Sequence, residues 1–144
     1  MEPKEKTLIT VKATVNVPVE IAWKFWTSPE HITQWNYANE DWHTPWAKND
    51  LKEGGKFLSR MEAKDGSMGF DFSGVYEKVK ICELLEIVLD DGRKVKTTFA
   101  ANGKSTNIEE TFEAETINSY EMQNRGWQSI LDNFKKYAEA LRLK

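Results

Sequence analysis

The sequence predicts an α+β fold, a curved antiparallel sheet of about six strands wrapped around one long C-terminal helix. Three observations carry the prediction. From Asn118 to about Arg142, apolar side chains at Met122, Trp127, Ile130, Leu131, Phe134, Tyr137, Ala138 and Leu141 recur with a period near 3.6. Gln128, Asp132, Lys135, Lys136 and Glu139 take the other side. From Gly55 to Phe112 the period changes to two, as in half-buried strands. Those alternating runs are separated by Asp65-Gly66, Asp91-Gly92 and Asn102-Gly103. Both central residues of a type I′ turn need positive φ, so each Asx-Gly pair marks a hairpin between antiparallel neighbours.

The elements follow in order. Thr7 to Val17 alternates, with Ile9, Val11, Ala13 and Val15 on one face. Pro18 suits the first position of a helix over Val19–Thr27, because its missing N–H is unpaired there anyway. Ser28-Pro29 starts a second short helix, Ser28 as its cap, that runs to about Trp35. Asn36 to Gly55 has no clean period and reads as a long ordered loop, a length that is usually functional or mobile. Phe57, Ser59 and Met61 mark the next strand, then Phe70, Phe72, Gly74 and Tyr76, then Leu84 to Leu89. Val95, Thr97 and Phe99 follow, and Thr106, Ile108, Glu110 and Phe112 close the meander. Asn118 caps the last helix, with Glu121 reaching back to it. One helix must cover one face of the sheet, and a curved sheet gripping one helix leaves a gap between them.

Composition sets the bounds. The 144 residues make one domain large enough for a real core. Apolar and charged shares of 40% and 30% are those of a globular chain. A net charge of −3 implies no basic face, so nucleic acid is not an expected partner. The single cysteine, Cys82, excludes an internal disulfide. Met1 to Lys6 is charged, with no apolar run, so neither a signal peptide nor a membrane span is expected and a cytoplasmic location follows.

Six tryptophans are many for this length, and Trp26, Trp35, Trp42 and Trp46 crowd together. Trp35, Tyr37, Trp42 and Trp46 could wall or lid a site for a flat apolar ligand, although aromatics at irregular spacing more often simply pack. His43 sits among them. With His31 it makes only two histidines, so no metal site and no cofactor is expected. Glu110 lies between Ile108 and Phe112 on the inward face by alternation. A carboxyl there is hydrogen-bonded, raised in pKa by desolvation, or in contact with a ligand. Gly126, in mid-helix, costs about 1 kcal/mol relative to Ala and leaves room for the sheet or a ligand. Trp127 beside it lines a cavity or belongs to plain core, and Gln123 is the polar group expected nearest a pocket. Cys82 has no histidine near in sequence to activate it, and no P-loop, dinucleotide fingerprint or Ser-His-Asp pattern is present.

Five stretches carry a resemblance. Pro18-Val-Glu-Ile-Ala-Trp23 and Thr27-Ser-Pro-Glu-His-Ile-Thr-Gln-Trp35 resemble the opening signature of the START-like superfamily, closest to the branch named for the activator of Hsp-90 ATPase homologue. Asp91-Gly92-Arg93, Glu110 to Glu115 and Gln123 to Tyr137 are similar to stand-alone bacterial members. The resemblance spans nearly the whole chain. It implies a helix-grip fold with a cavity between sheet and helix. Its members bind lipids, polyketides or aromatic small molecules, and a few are enzymes. Family patterns often carry a second tryptophan after the position of Trp35, where this chain has Asn36.

Three functions follow as expectations. The first is binding of a small hydrophobic or aromatic molecule, with Trp35, Trp42, Phe72, Phe99, Met122 and Trp127 as apolar wall and Glu110 or Gln123 as polar anchor. The second is a co-chaperone-like module with a chaperone partner, implied by the branch name alone. The third is an enzyme of cyclase, hydrolase or isomerase type using Glu110 as acid or base. An edge strand or the aromatic loop could mediate a homodimer, although nothing in the residues requires one.

Overall fold

A computed structural model describes residues 7–142; the charged start Met1–Lys6, on which the absence of a leader was argued, lies outside them. The chain runs β1 (Leu8–Val15), α1 (Val19–Thr27), α2 (Pro29–Trp35), β2 (Trp42–Asn49), β3 (Lys56–Ala63), β4 (Gly69–Lys80), β5 (Leu84–Leu89), β6 (Lys94–Asn102), β7 (Ser105–Glu113) and α3 (Tyr120–Arg142). The strands form one antiparallel sheet in the order β1-β7-β6-β5-β4-β3-β2. It curls around α3, which gives the α+β helix-grip fold.

The sheet has seven strands rather than about six. The extra one, β2, lies inside the stretch expected to be a loop, Asn36 to Gly55. Its pairing with β3 slips between His43 and Trp46, so a bulge breaks the alternation that would have revealed it. Pro45 sits in that bulge on an edge strand, where a missing N–H is tolerated. The other strands take the faces that alternation assigns. Ile108 and Phe112 are buried at 1% exposure, Asn107 and Glu109 face out, and the register sets Glu110 opposite Val11 on one side and Thr97 on the other. The hairpins form at the three Asx-Gly pairs, but not as the type I′ turns expected: Gly66, Gly92 and Gly103 take φ of 78°, 91° and 63°, whereas Asp65, Asp91 and Asn102 do not have positive φ. Gly74 answers a different need. A Cβ there would meet the Val88 carbonyl oxygen at 2.2 Å, so only glycine lets β4 press this closely on β5 where the sheet curls.

The helix ends differ in detail from expectation. α3 starts at Tyr120 and its cap is Ser119, whose hydroxyl accepts from the Met122 N–H at 3.1 Å; Asn118 is not the cap. Ser28 stands at the start of α2 with no side-chain capping bond, and its carbonyl accepts from His31 and Ile32 instead. Pro18 sits one position before α1, its carbonyl accepting from Ile21 and Ala22.

The core lies between the sheet, α1, α2 and the C-terminal half of α3. Leu131, Phe134 and Ala138 are fully buried, and burial of a leucine or phenylalanine contributes about 1.5–3 kcal/mol. Trp35 and Trp26 both set rings against Phe134, at 5.0 and 4.9 Å between centroids. The polar side of α3 has its own task. β1 is an edge strand, and its outward backbone groups are taken up by α3. Gln128 bonds both the N–H and the carbonyl of Lys12 (3.4 and 3.2 Å), Lys135 Nζ donates to the Thr14 carbonyl at 2.6 Å, and Glu139 accepts from the Asn16 N–H at 2.9 Å. No helix of the described residues is long and apolar enough to cross a membrane.

Candidate functional site

The N-terminal half of α3 does not close onto the sheet. Between them is a cavity of about 480 Å³, within the range of small-molecule sites. Its floor is the concave face of the sheet, from Phe57, Ser59 and Met61 on β3 to Thr97 on β6 and Glu110 on β7. Its roof is Gln123, Gly126, Trp127 and Ile130, and its inner end is Trp26, Ile32 and Trp35. Phe70 and Met122, 49% and 60% exposed, stand at its rim.

The walls are aromatic and fixed by one another. Trp127 stacks flat on Phe112 at 3.9 Å and 13°, and its edge meets Phe72 at 6.1 Å. Phe72 touches Phe57, which touches Tyr76. Trp35 donates its indole N–H to the Phe25 carbonyl at 3.0 Å, so the ring is oriented before any ligand arrives. Trp42 packs on Phe70 at the rim, 5.9 Å between centroids. A Cβ added at Gly126 would meet nothing within 4 Å, so the helix backbone there borders open space.

The polar groups differ in how far they are already used. Tyr76 donates to Asn49 Oδ1 at 2.6 Å, and burial pushes its phenol up to about 12. Asn49 donates in turn to the Thr27 carbonyl. Both amide hydrogens of Gln123 go to the carbonyls of Glu115 and Asn118, and its oxygen accepts from the Glu115 N–H. Gln123 therefore ties down the segment before α3 and can only accept from a ligand. Arg93 is held by Asp91 Oδ2 at 2.8 Å and by the Glu113 carbonyl at 3.4 Å. Glu110 is the least used. Its one hydrogen bond is from the Thr97 hydroxyl, at 3.4 Å. Its side chain is half-buried because one side opens on the cavity, yet it lies deep below the outer surface. That desolvation raises its pKa from 4.5 to about 7, against the small opposing effect of Thr97.

Seven of the eleven residues singled out from the sequence line this cavity: Trp35, Trp42, Phe72, Glu110, Met122, Gln123 and Trp127. Four do not. The bulge in β2 turns His43 and Trp46 to the outer face, where His43 Nε2 lies 3.9 Å from Glu62 and the Trp46 ring lies under Lys48. Tyr37 follows α2, with its carbonyl taken by Asn133. Phe99 is buried between Trp23 and Trp26 in the core. The four-aromatic lid is thus divided: Trp35 and Trp42 face the cavity, Tyr37 and Trp46 do not. Sequence reasoning missed Tyr76, Thr97 and Asn49. The first two lie on faces that alternation had marked inward. Asn49 lies in the strand hidden by the bulge and carried no signal. Among the described residues, no group of three His, Cys, Asp or Glu side chains comes together as a metal site needs.

Comparison with known proteins adds the lineage. Residues 16–139 match the family described as activator of Hsp90 ATPase homolog 1-like protein. The solution structure of an AHSA1-like protein from Aeromonas hydrophila is similar, with 44% identity, 96% of each chain covered and a TM-score of 0.89. A solution structure from Cytophaga hutchinsonii shares 50% identity over 94% of each chain, with a TM-score of 0.80. A crystal structure from Nitrosomonas europaea, at 17% identity, has the same fold, with a TM-score of 0.81 over 99% of this chain and 100% of that one. No curated protein matches the chain.

Proposed function

Taking as premise that the chain belongs to the activator of Hsp90 ATPase homolog 1-like family, we propose that it binds a small hydrophobic or aromatic molecule between the sheet and α3. One observation carries the proposal. A cavity of about 480 Å³ is kept open by aromatic walls that hold one another in place. Filling such a space with protein side chains would stabilise the fold by roughly 24 cal/mol per Å³ in the limit. A chain that leaves it empty forgoes that gain, and ligand binding is the use that recovers it. The bound molecule would lie along Gly126 with its flat face toward Trp127 and Phe72, and enter past Phe70 and Met122.

Native mass spectrometry of freshly purified protein, with a denatured control, tests this. A mass excess lost on denaturation supports the proposal, and its value gives the ligand's chemical class. A clean mass, together with no calorimetric response to fatty acids, flavonoids and polyketides, overturns it.

The second reading, a co-chaperone-like module, draws on the family description and on the exposed apolar side chains near the start of α3: Ile117 at 88%, Met122 at 60% and Tyr120 at 51%. Its test is the ATPase rate of the cognate chaperone at saturating protein. No change in that rate removes this reading.

A further inference from the structure

We infer that the ligand is a cation as well as an apolar body: an amine whose protonated nitrogen pairs with Glu110. The inference rests on the cavity reading above and names the chemistry of its occupant.

Four charged side chains border the cavity: Lys48, Arg93, Glu110 and Glu115. Three of them are engaged. Lys48 lies over the outward Trp46 ring, Arg93 is held by Asp91, and Glu115 accepts from both the backbone and the side chain of Asn118. Among the described residues, Glu110 makes no ion pair and holds one long hydrogen bond. The groups packed around it from other elements cannot help. β1 supplies Val11, β6 supplies Thr97, its own strand supplies Ile108 and Phe112, and α3 supplies the Trp127 ring against Phe112. Beyond the long bond from Thr97, what the carboxyl lacks is a second donor, above all a charged one. An ammonium supplies both a hydrogen bond and the compensating charge to a carboxyl that burial has desolvated. The walls suit it too, because indole and phenyl faces attract cations. A carboxylic acid ligand would instead set two like-charged groups together.

The test is isothermal titration calorimetry with three probes of one shape: 1-naphthylmethylamine, 1-naphthylmethanol and 1-naphthoic acid. At pH 8 the amine is expected to bind at least tenfold more tightly than the alcohol, and the acid most weakly. Between pH 7 and pH 6 the amine should lose about fivefold as Glu110, with a pKa of about 7, takes up its proton, since the amine itself stays charged like a lysine. The alcohol should change little. Glu110→Gln should abolish the preference for the amine. Gly126→Leu, which grows into open space, should reduce binding of the amine and the alcohol alike. Equal binding of amine and alcohol, lost in Gly126→Leu, overturns the amine pairing and leaves the cavity reading standing. An amine preference that survives Glu110→Gln overturns the pairing as well. Binding of no probe at all removes both.

Discussion

The two halves of α3 lie against the same sheet and do opposite things. From Leu131 to Ala138 the helix is sunk in the core, and Leu131, Phe134 and Ala138 have no exposed surface. From Gln123 to Ile130 it roofs empty space. The difference comes from what faces each half. α1 and α2 fill the region over the C-terminal half with Trp26 and Trp35. Neither α1 nor α2 fills the corresponding space near the N-terminal half, where Trp127 alone reaches the sheet aromatics Phe112 and Phe72 and the cavity opens beside it. Apolar periodicity is therefore a statement about what a face avoids, which is water, and not about what it touches.

The largest effect that would sharpen this contrast is at Phe134. Phe134→Ala should cost about 3–5 kcal/mol, the range for a fully buried phenylalanine, read from urea unfolding midpoints. A cost below 1 kcal/mol would mean that the C-terminal half is not packed as described. Next comes the acid across the cavity. Its folded pKa of about 7 lies above the unfolded value near 4.5. Between those values the folded protein keeps a proton that the unfolded chain releases, so the empty protein should lose stability as pH rises, by up to about 3 kcal/mol, and then level off above pH 7. Glu110→Gln should remove that slope, and so be the more stable form at pH 8 but not at pH 4. A slope unchanged in the variant would place the titrating group elsewhere. Ile130→Ala should cost roughly 1–2 kcal/mol, less than a core truncation, because part of its surface already faces the void. The smallest effect has the opposite sign. Gly126→Ala should stabilise the apo protein by about 1 kcal/mol, since nothing lies in the way of the new methyl. A loss there would show that the sheet does approach the helix at that point.

Those residues also show what was legible beforehand. The inward placement of Glu110 could be read because the Asx-Gly turns fix the register of β6 and β7, and a two-residue period then assigns each side chain a face. The helix stripe could be read for the same reason, yet it placed Phe134 and Trp127 in one class although only the first is fully buried. β2 could not be read, because one bulge carrying Pro45 erases its period and turns His43 and Trp46 outward together. Nor could the depth of the cavity. It depends on how sharply the sheet curls, and that rests on a contact such as Gly74 against Val88, between residues paired only by folding. Gln123 lines the cavity, but its three bonds to the segment before α3 follow from a loop path that no period describes.

For the ligand proposed above, the bonds from Gln128, Lys135 and Glu139 to the edge of β1 would decide the route of exchange. Swinging α3 outward would be the widest gate to the cavity. It would also strip Lys12, Thr14 and Asn16 of their partners in one movement, at about 0.5–1.5 kcal/mol for each bond lost. The helix is a latched door. Traffic of the proposed ligand would be left to the side chains at the rim, Trp42, Phe70 and Met122, which can change rotamer without breaking a single backbone bond. The dimensions of that doorway, rather than those of the chamber behind it, then set which molecules arrive quickly.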